Sequence, residues 1–185
     1  MADPAHADTL YAAIERLPEG VVGEIIDGQL HTHPRPAGRH AYVHTVLVAD
    51  IVGPFGRGRN GPGGWTIILE PEIHFRRNVE VLVPDIAAWR RERLPEVPAD
   101  QRFEVVPDWV CEVLSPTTAG TDRDLKMRVY ARYGVPYAWL VDPREQRVEA
   151  YALQAGEWQR TATISGETPI RAAPFTEVAV PPPWE

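Results

Sequence analysis

Apolar residues recur along this chain at two spacings, and the switches between them mark out its elements. From Arg39 to about Val52 the apolar positions Val43, Val46, Leu47, Ala49 and Val52 follow helical spacing, which predicts a helix packed on a sheet. A first short helix is predicted over Pro4 to Leu17, ended by Pro18 and Gly20. Short runs bounded by turn residues predict strands at Trp65–Leu69, Glu72–Phe75, Val79–Val83, Tyr137–Val141, Arg147–Leu153 and Glu157–Ala162. Glu24 to His33 reads as a hairpin, because Asp27-Gly28 is a favoured two-residue turn. Trp109 to Leu114 is an almost unbroken apolar run, as expected of a strand buried on both faces, and Glu112 is the anomaly within it.

Punctuation fills in the rest. A Pro/Gly break spans residues 34–38, and Gly53 to Gly64 holds six glycines and two prolines, which predicts a flexible connection. Val83 runs into Pro84-Asp85, followed by a charged loop to about Val106. Thr121 is placed to cap a helix through Tyr133, with Asp122 and Asp124 in its first turn and Gly134 and Pro136 at its end. The stretch from Thr168 to the closing Pro181-Pro182-Pro183-Trp184-Glu185 reads as an extended C-terminal arm. Together these elements predict an α/β fold, a mixed sheet flanked by helices with an N-terminal hairpin.

At 185 residues the chain suits one full-sized domain. Its longest apolar run, Ala41 to Phe55, is interrupted by His44 and Asp50 and falls short of the roughly 18 residues that span a bilayer, so no membrane association is expected. A single cysteine and an N-terminus without a basic-then-apolar leader point to the cytoplasm. Cys111, in an apolar strand with no evident base beside it, reads as a core thiol. The net charge of −7 argues against a broad, sequence-independent grip on nucleic acid, although Arg76, Arg77, Arg90, Arg91 and Arg93 form a local basic cluster.

Of the 19 basic residues, only Lys126 is not Arg. Arg and Lys exchange freely on a solvated surface but not where chemistry needs a compact ammonium. A carboxylate within an apolar strand is costly unless it is paired, protonated or bound to a cation, which draws attention to Glu112. If their strands are neighbours, Asp85 and Glu112 form a site suited to Mg²⁺ or Mn²⁺, hard ions that prefer oxygen and keep part of their water shell. Lys126 would then hold the nucleophile or offset charge on a phosphoryl group. Each residue also has a plainer reading. Asp85 could cap a turn, Glu112 could pair with an Arg, and Asp122 with Lys126 could be a surface ion pair.

The histidines fall in pairs: His31 and His33 share a strand face, and His40 and His44 are spaced as zinc ligands on a helix can be, but a third ligand is not evident. Surface or supporting roles are expected of them. Glu70 and Glu72 share a strand face and stand outside the expected site.

Several segments resemble the Uma-two family of restriction endonucleases. They are Leu17-Pro18-Glu19-Gly20, Glu24-Ile25-Ile26-Asp27-Gly28, Arg39-His40, Pro84-Asp85, Glu112-Val113-Leu114-Ser115-Pro116, Asp122-x-x-x-Lys126-x-x-x-Tyr130, Gly134-Val135 and Trp139-Leu140-Val141-Asp142-Pro143. The resemblance covers about residues 17 to 160 and is most specific from Glu112 to Pro143. It implies a PD-(D/E)XK nuclease-like domain over residues 1–167, followed by the arm over 168–185, and metal-dependent phosphodiester hydrolysis with DNA as partner. Asp85 and Glu112 match the metal carboxylates, Lys126 the active-site lysine, and Glu24 an accessory acid.

Two positions depart from the pattern. Leu114 stands where the superfamily's E-x-K motif has its lysine, so the lysine comes from the following helix, where Asp122, Lys126 and Tyr130 share one face. Gly23 stands where the family tends to carry a larger, often aromatic residue, which is expected to loosen the hairpin. A homodimer fits a nuclease that cuts both strands. The competing expectation is a non-catalytic nuclease-like module that binds a protein or nucleic acid, motivated by the acidic charge and the Pro/Trp arm. A carboxylate-pair glycosidase is a third reading, which leaves Lys126 unexplained.

Overall fold

The computed structural model describes residues 4–35, 38–116 and 118–184. Positions 36–37 of the Pro/Gly break, Thr117, Met1–Asp3 of the leaderless N-terminus and Glu185 of the arm lie outside them. The elements begin with α1 (Pro4–Ile14), β1 (Val21–Ile26), β2 (Gln29–Pro34) and α2 (Arg39–Ile51), which runs on as a π turn over Val52–Gly56. Next come β3 (Trp65–Leu69), β4 (Glu72–Arg76), β5 (Glu80–Leu82), β6 (Ile86–Arg90), β7 (Arg102–Phe103) and β8 (Trp109–Val113). A π segment over Thr121–Lys126 leads into α3 (Met127–Arg132). The chain ends with β9 (Tyr137–Asp142), β10 (Arg147–Gln154), β11 (Glu157–Ser165), β12 (Ile170–Ala172) and β13 (Phe175–Val180).

A six-stranded mixed sheet, ordered β11-β10-β9-β8-β6-β3, forms the frame. Its one parallel pair, β8 with β9, requires a crossover, and that crossover is the helix carrying Lys126. Strand alternation decides what β8 presents to each face. Trp109, Cys111 and Val113 enter one core with α2, whereas Val110 and Leu114 enter the other with α3 and the five-stranded sheet β2-β1-β5-β4-β7. Glu112 shares the α3 face by the same alternation.

The β1–β2 turn is the predicted one. Ile26 pairs with Gln29, and Asp27 and Gly28 have φ of 51° and 75°, as a type I′ turn demands. Gly23 does not open a void: a Cβ there would lie 2.5 Å from Leu17 Cδ1, so the side chains of Leu17 and Ile14 occupy the space a larger residue would take.

Three expectations need correction. The charged loop after Asp85 contains β6, whose residues Ile86 to Trp89 are all buried. The Lys126 helix begins before Thr121, as a π segment without a side-chain cap at its start; Ser115 and Thr118 instead organise the turn ahead of it, with the Thr118 N–H donating to Ser115 Oγ at 3.2 Å. The stretch expected as an arm forms the hairpin β12–β13. Phe175 packs against Phe55, Trp65, Trp109 and Trp139 at ring distances of 4.7–5.8 Å, and Trp184 donates to the Gly166 carbonyl at 2.7 Å. These aromatic contacts close the α2 side of the core. Trp184→Ala is therefore expected to cost about 2 kcal/mol, lowering the melting temperature by about 4–8 °C; a thermal melt checks this. Among the described residues, no helix is long and apolar enough to cross a membrane.

Candidate active site

The antiparallel register of β6 and β8 pairs Ile86 with Cys111, so one step further Asp85 and Glu112 face each other. Asp85 Oδ2 accepts the Val113 N–H at 2.7 Å, which fixes its carboxylate beside Glu112. From the crossover helix Lys126 reaches between the sheets, its Nζ 3.0 Å from Glu112 Oε1 and 3.0 Å from Glu24 Oε1. It also donates to the Val83 carbonyl at 3.1 Å, and the Val83 N–H donates to Glu24 Oε1 at 2.8 Å. Asp122, one helical turn before Lys126, lies 3.6 Å from Nζ, and Tyr130, one turn after it, donates its hydroxyl to Glu112 Oε1. Glu24, Glu112 and Lys126 are 1–2% exposed. Asp85, Glu112, Asp122 and Lys126 line a cavity of about 230 Å³, rimmed by His33, Arg35, His40, Ser115 and Thr118.

Charge in this cluster is unbalanced. One ammonium is shared among Glu24, Glu112 and Asp122, with Asp85 nearby. Burial pulls Lys126 toward neutrality, but the surrounding carboxylates, led by Glu112, hold it well above its ordinary value, so it remains charged. Burial pushes Glu112 well above the usual carboxylate range, and Asp122, Asp85 and Glu24 add to the shift against the opposing pull of Lys126. Asp122 is raised for the same reasons, burial first. Glu24 behaves differently. Burial would raise it, but Lys126, His33 and the Val83 N–H outweigh that and draw it down to about 2, from an ordinary value of 4.5.

Because the folded state lowers the Glu24 pKa, its contribution to stability is present above about pH 4.5 and is lost as pH falls toward 2. Glu24→Gln is expected to cost about 3 kcal/mol at pH 7, with the gap to wild type narrowing between about pH 5 and 2. Denaturant melts across that range measure the gap.

The structure thus brings Asp85, Glu112, Lys126 and Glu24 around one cavity, joined by Asp122. The other singled-out residues go elsewhere. Glu70 pairs with Arg35 at 2.7 Å, and Glu72 accepts from Tyr11 and His74. Cys111 is buried on the opposite face of β8, where burial raises its thiol pKa well above the ordinary value. Arg90 stacks on Trp65, Arg91 donates to the Gly56 carbonyl and Arg93 pairs with Asp108, at the far end of β6 from Asp85. Among the histidines, His44 Nε2 donates to the Asp85 carbonyl at 2.7 Å, while His40 and His33 stand 3.5 Å from Asp85 Oδ2 and Glu24 Oε2. Tyr130 is the functional side chain to which the sequence reading gave no role; its signal is its place four residues after Lys126, on the same helix face.

The donors suit a hard divalent cation. All are oxygens apart from the rim histidines, and the excess of buried negative charge is what such an ion offsets. Among the described residues, no three His, Cys, Asp or Glu side chains are grouped as a ready metal cage.

Comparison with known proteins gives a consistent picture. The model of the family Uma2, described as "Putative restriction endonuclease", matches residues 10–181. A crystal structure from Anabaena variabilis ATCC 29413, described as "a putative nuclease belonging to DUF820", superposes with a TM-score of 0.71 at 24% identity, covering 92% of this chain and 93% of that one. The two share a fold, which is restriction-endonuclease-like. No curated protein matches the chain.

Proposed function

The chain belongs to the Uma2 restriction-endonuclease family, and from that membership we propose that it is a metal-dependent endonuclease that hydrolyses phosphodiester bonds in DNA. The observation that carries the reading is the pair of facing carboxylates, Asp85 and Glu112, with the Lys126 ammonium 3.0 Å from Glu112. Asp85 and Glu112 would hold Mg²⁺ or Mn²⁺, and the bound ion would supply an acidified water and offset charge on the phosphorane-like transition state. One or two carboxylates with water and phosphate oxygens are the usual surroundings of such an ion, so a preformed cage is not required.

The protein's own groups do the rest. Lys126, clamped by Glu24 and the Val83 carbonyl, holds a fixed positive charge beside Glu112, where it can orient the attacking water and steady the phosphate. Because these groups are buried and already hydrogen-bonded, the site needs little reorganisation during reaction. Tyr130 fixes Glu112 from the other side. At the mouth of the cavity, Arg35 and His33 are placed to meet the phosphate backbone.

The reading is tested by incubating supercoiled plasmid with the protein in Mg²⁺ or Mn²⁺. Nicking or linearisation is expected, stopping when EDTA removes the ion. Activity that persists in EDTA would overturn the reading. The competing picture of a non-catalytic module drew support from a free Pro/Trp arm, and that support falls away because Trp184 is docked on the core.

A further inference from the structure

His40 and His44 lie one turn apart on α2, but their environments differ. His44 is buried, and its Nε2 makes a full-strength hydrogen bond to the Asp85 carbonyl at 2.7 Å, so its role is to brace the backbone that carries Asp85. The Nε2 of His40 faces the Asp85 carboxylate itself, 3.5 Å from Oδ2. That is longer than the roughly 2.7–3.2 Å of a good N–H···O bond. It is close to the separation of two donors on one ion, since ligands about 2.0–2.2 Å from a shared cation stand about 3–3.5 Å apart. His40 also lines the cavity, and its Nδ1 is buried without a hydrogen-bond partner, so no neighbour fixes the ring's tautomer.

His33 is the obvious rival, at the same distance from Glu24. Glu24, however, is already neutralised by Lys126 and receives the Val83 N–H, and the other ring nitrogen of His33 lies 3.1 Å from the Pro34 carbonyl. Among the described residues, Asp85 has no Lys or Arg partner, and His40 is the side chain facing its free charge.

We propose that His40 is a third protein ligand of the ion held by Asp85 and Glu112, and that its imidazole nitrogen makes the site select Mn²⁺ over Mg²⁺. The inference rests on the metal-site reading above. Mg²⁺ prefers an all-oxygen shell, whereas first-row transition ions accept imidazole readily, so one nitrogen added to two carboxylates shifts the balance toward Mn²⁺. The position of His40 in the first turn of α2, against the end of β6, lets a helix and a sheet jointly define the ion's surroundings.

The test is direct titration of Mn²⁺ and Mg²⁺ into the full chain, wild type and His40→Ala, with circular dichroism to confirm folding and pulsed electron paramagnetic resonance of the Mn²⁺ complex. The expected result is a loss of Mn²⁺ affinity of about tenfold or more in the variant, with Mg²⁺ affinity changed less than about threefold. The nitrogen hyperfine coupling of the wild-type complex is expected to disappear. His40→Asp is expected to recover ion binding without the Mn²⁺ preference. If His40→Ala binds Mn²⁺ as tightly as wild type while Asp85→Asn loses it, the metal-site reading stands and the ligand assignment is overturned. If Asp85→Asn also binds as wild type does, both fall.

Discussion

Asp85→Asn is expected to lower DNA cleavage by about 10³-fold or more, a loss of about 4 kcal/mol of transition-state stabilisation, while the protein melts as wild type does. The separation of the two effects follows from local geometry. One carboxylate oxygen, Oδ2, accepts the Val113 N–H at 2.7 Å, and an amide oxygen can take over that bond. The fold therefore keeps its link between the end of β6 and β8. The cavity loses an anionic donor and gains an N–H₂ that repels a cation, so the ion's grip is lost. Plasmid nicking assays run beside thermal melts measure both quantities. Wild-type cleavage by the variant would remove Asp85 from the reaction.

Lys126→Ala is expected to abolish cleavage as well, but with the opposite consequence for the fold. Removing the ammonium leaves Glu24, Glu112 and Asp122 buried together with no Lys or Arg among the described residues to offset them. Stripping one partner from a buried charge cluster costs about 3–5 kcal/mol, which for a chain of this size lowers the melting temperature by about 6–20 °C. The deficit has a signed pH dependence. Without Lys126 the buried acids bind protons more tightly in the folded state than in the unfolded one, so stability recovers as pH falls from 7 toward 5. Melts of the variant across that range check the sign. An unchanged melting temperature at pH 7 would mean that the cluster does not hold its charge as described.

The residues of the candidate site were legible in the sequence because each breaks a local rule. Glu112 interrupts an apolar strand, Lys126 is the single lysine among arginines, and Asp85 follows a proline at the end of an apolar run. The resemblance to a known family joined them to Glu24, which nothing in its own hairpin marks out. Tyr130 was less visible because an aromatic residue on a helix facing a core is ordinary, and only the three-dimensional path of the β8–β9 crossover sets its hydroxyl against Glu112. The π segment was invisible for a related reason. Its altered hydrogen-bond pattern has no simple sequence signature, yet it sets how Asp122 and Lys126 enter the cavity.

The main fold errors have clear physical origins. Strand β6 reads Ile-Ala-Ala-Trp-Arg, and alanine is a weak strand former, so its burial between β3 and β8 is a property of the sheet and not of the segment. The C-terminal residues look like an arm because prolines and polar residues surround a few large apolar ones. Phe175 and Trp184 are anchors whose sockets, formed by Phe55, Trp65, Trp109 and Trp139 and by the Gly166 carbonyl, lie far away in sequence. The histidines were ambiguous for the same reason. Spacing paired His40 with His44, whereas tertiary structure gives one to the Asp85 carboxylate and the other to the Asp85 backbone.

The central claim, that Asp85 and Glu112 form a divalent-cation site, is tested most directly by calorimetric titration of Mn²⁺ into the wild type and Asp85→Asn, which requires no knowledge of the DNA sequence that is cut. Saturable binding of one or two ions by the wild type, lost in the variant, is the predicted result. Identical titration curves for the two proteins would contradict the claim.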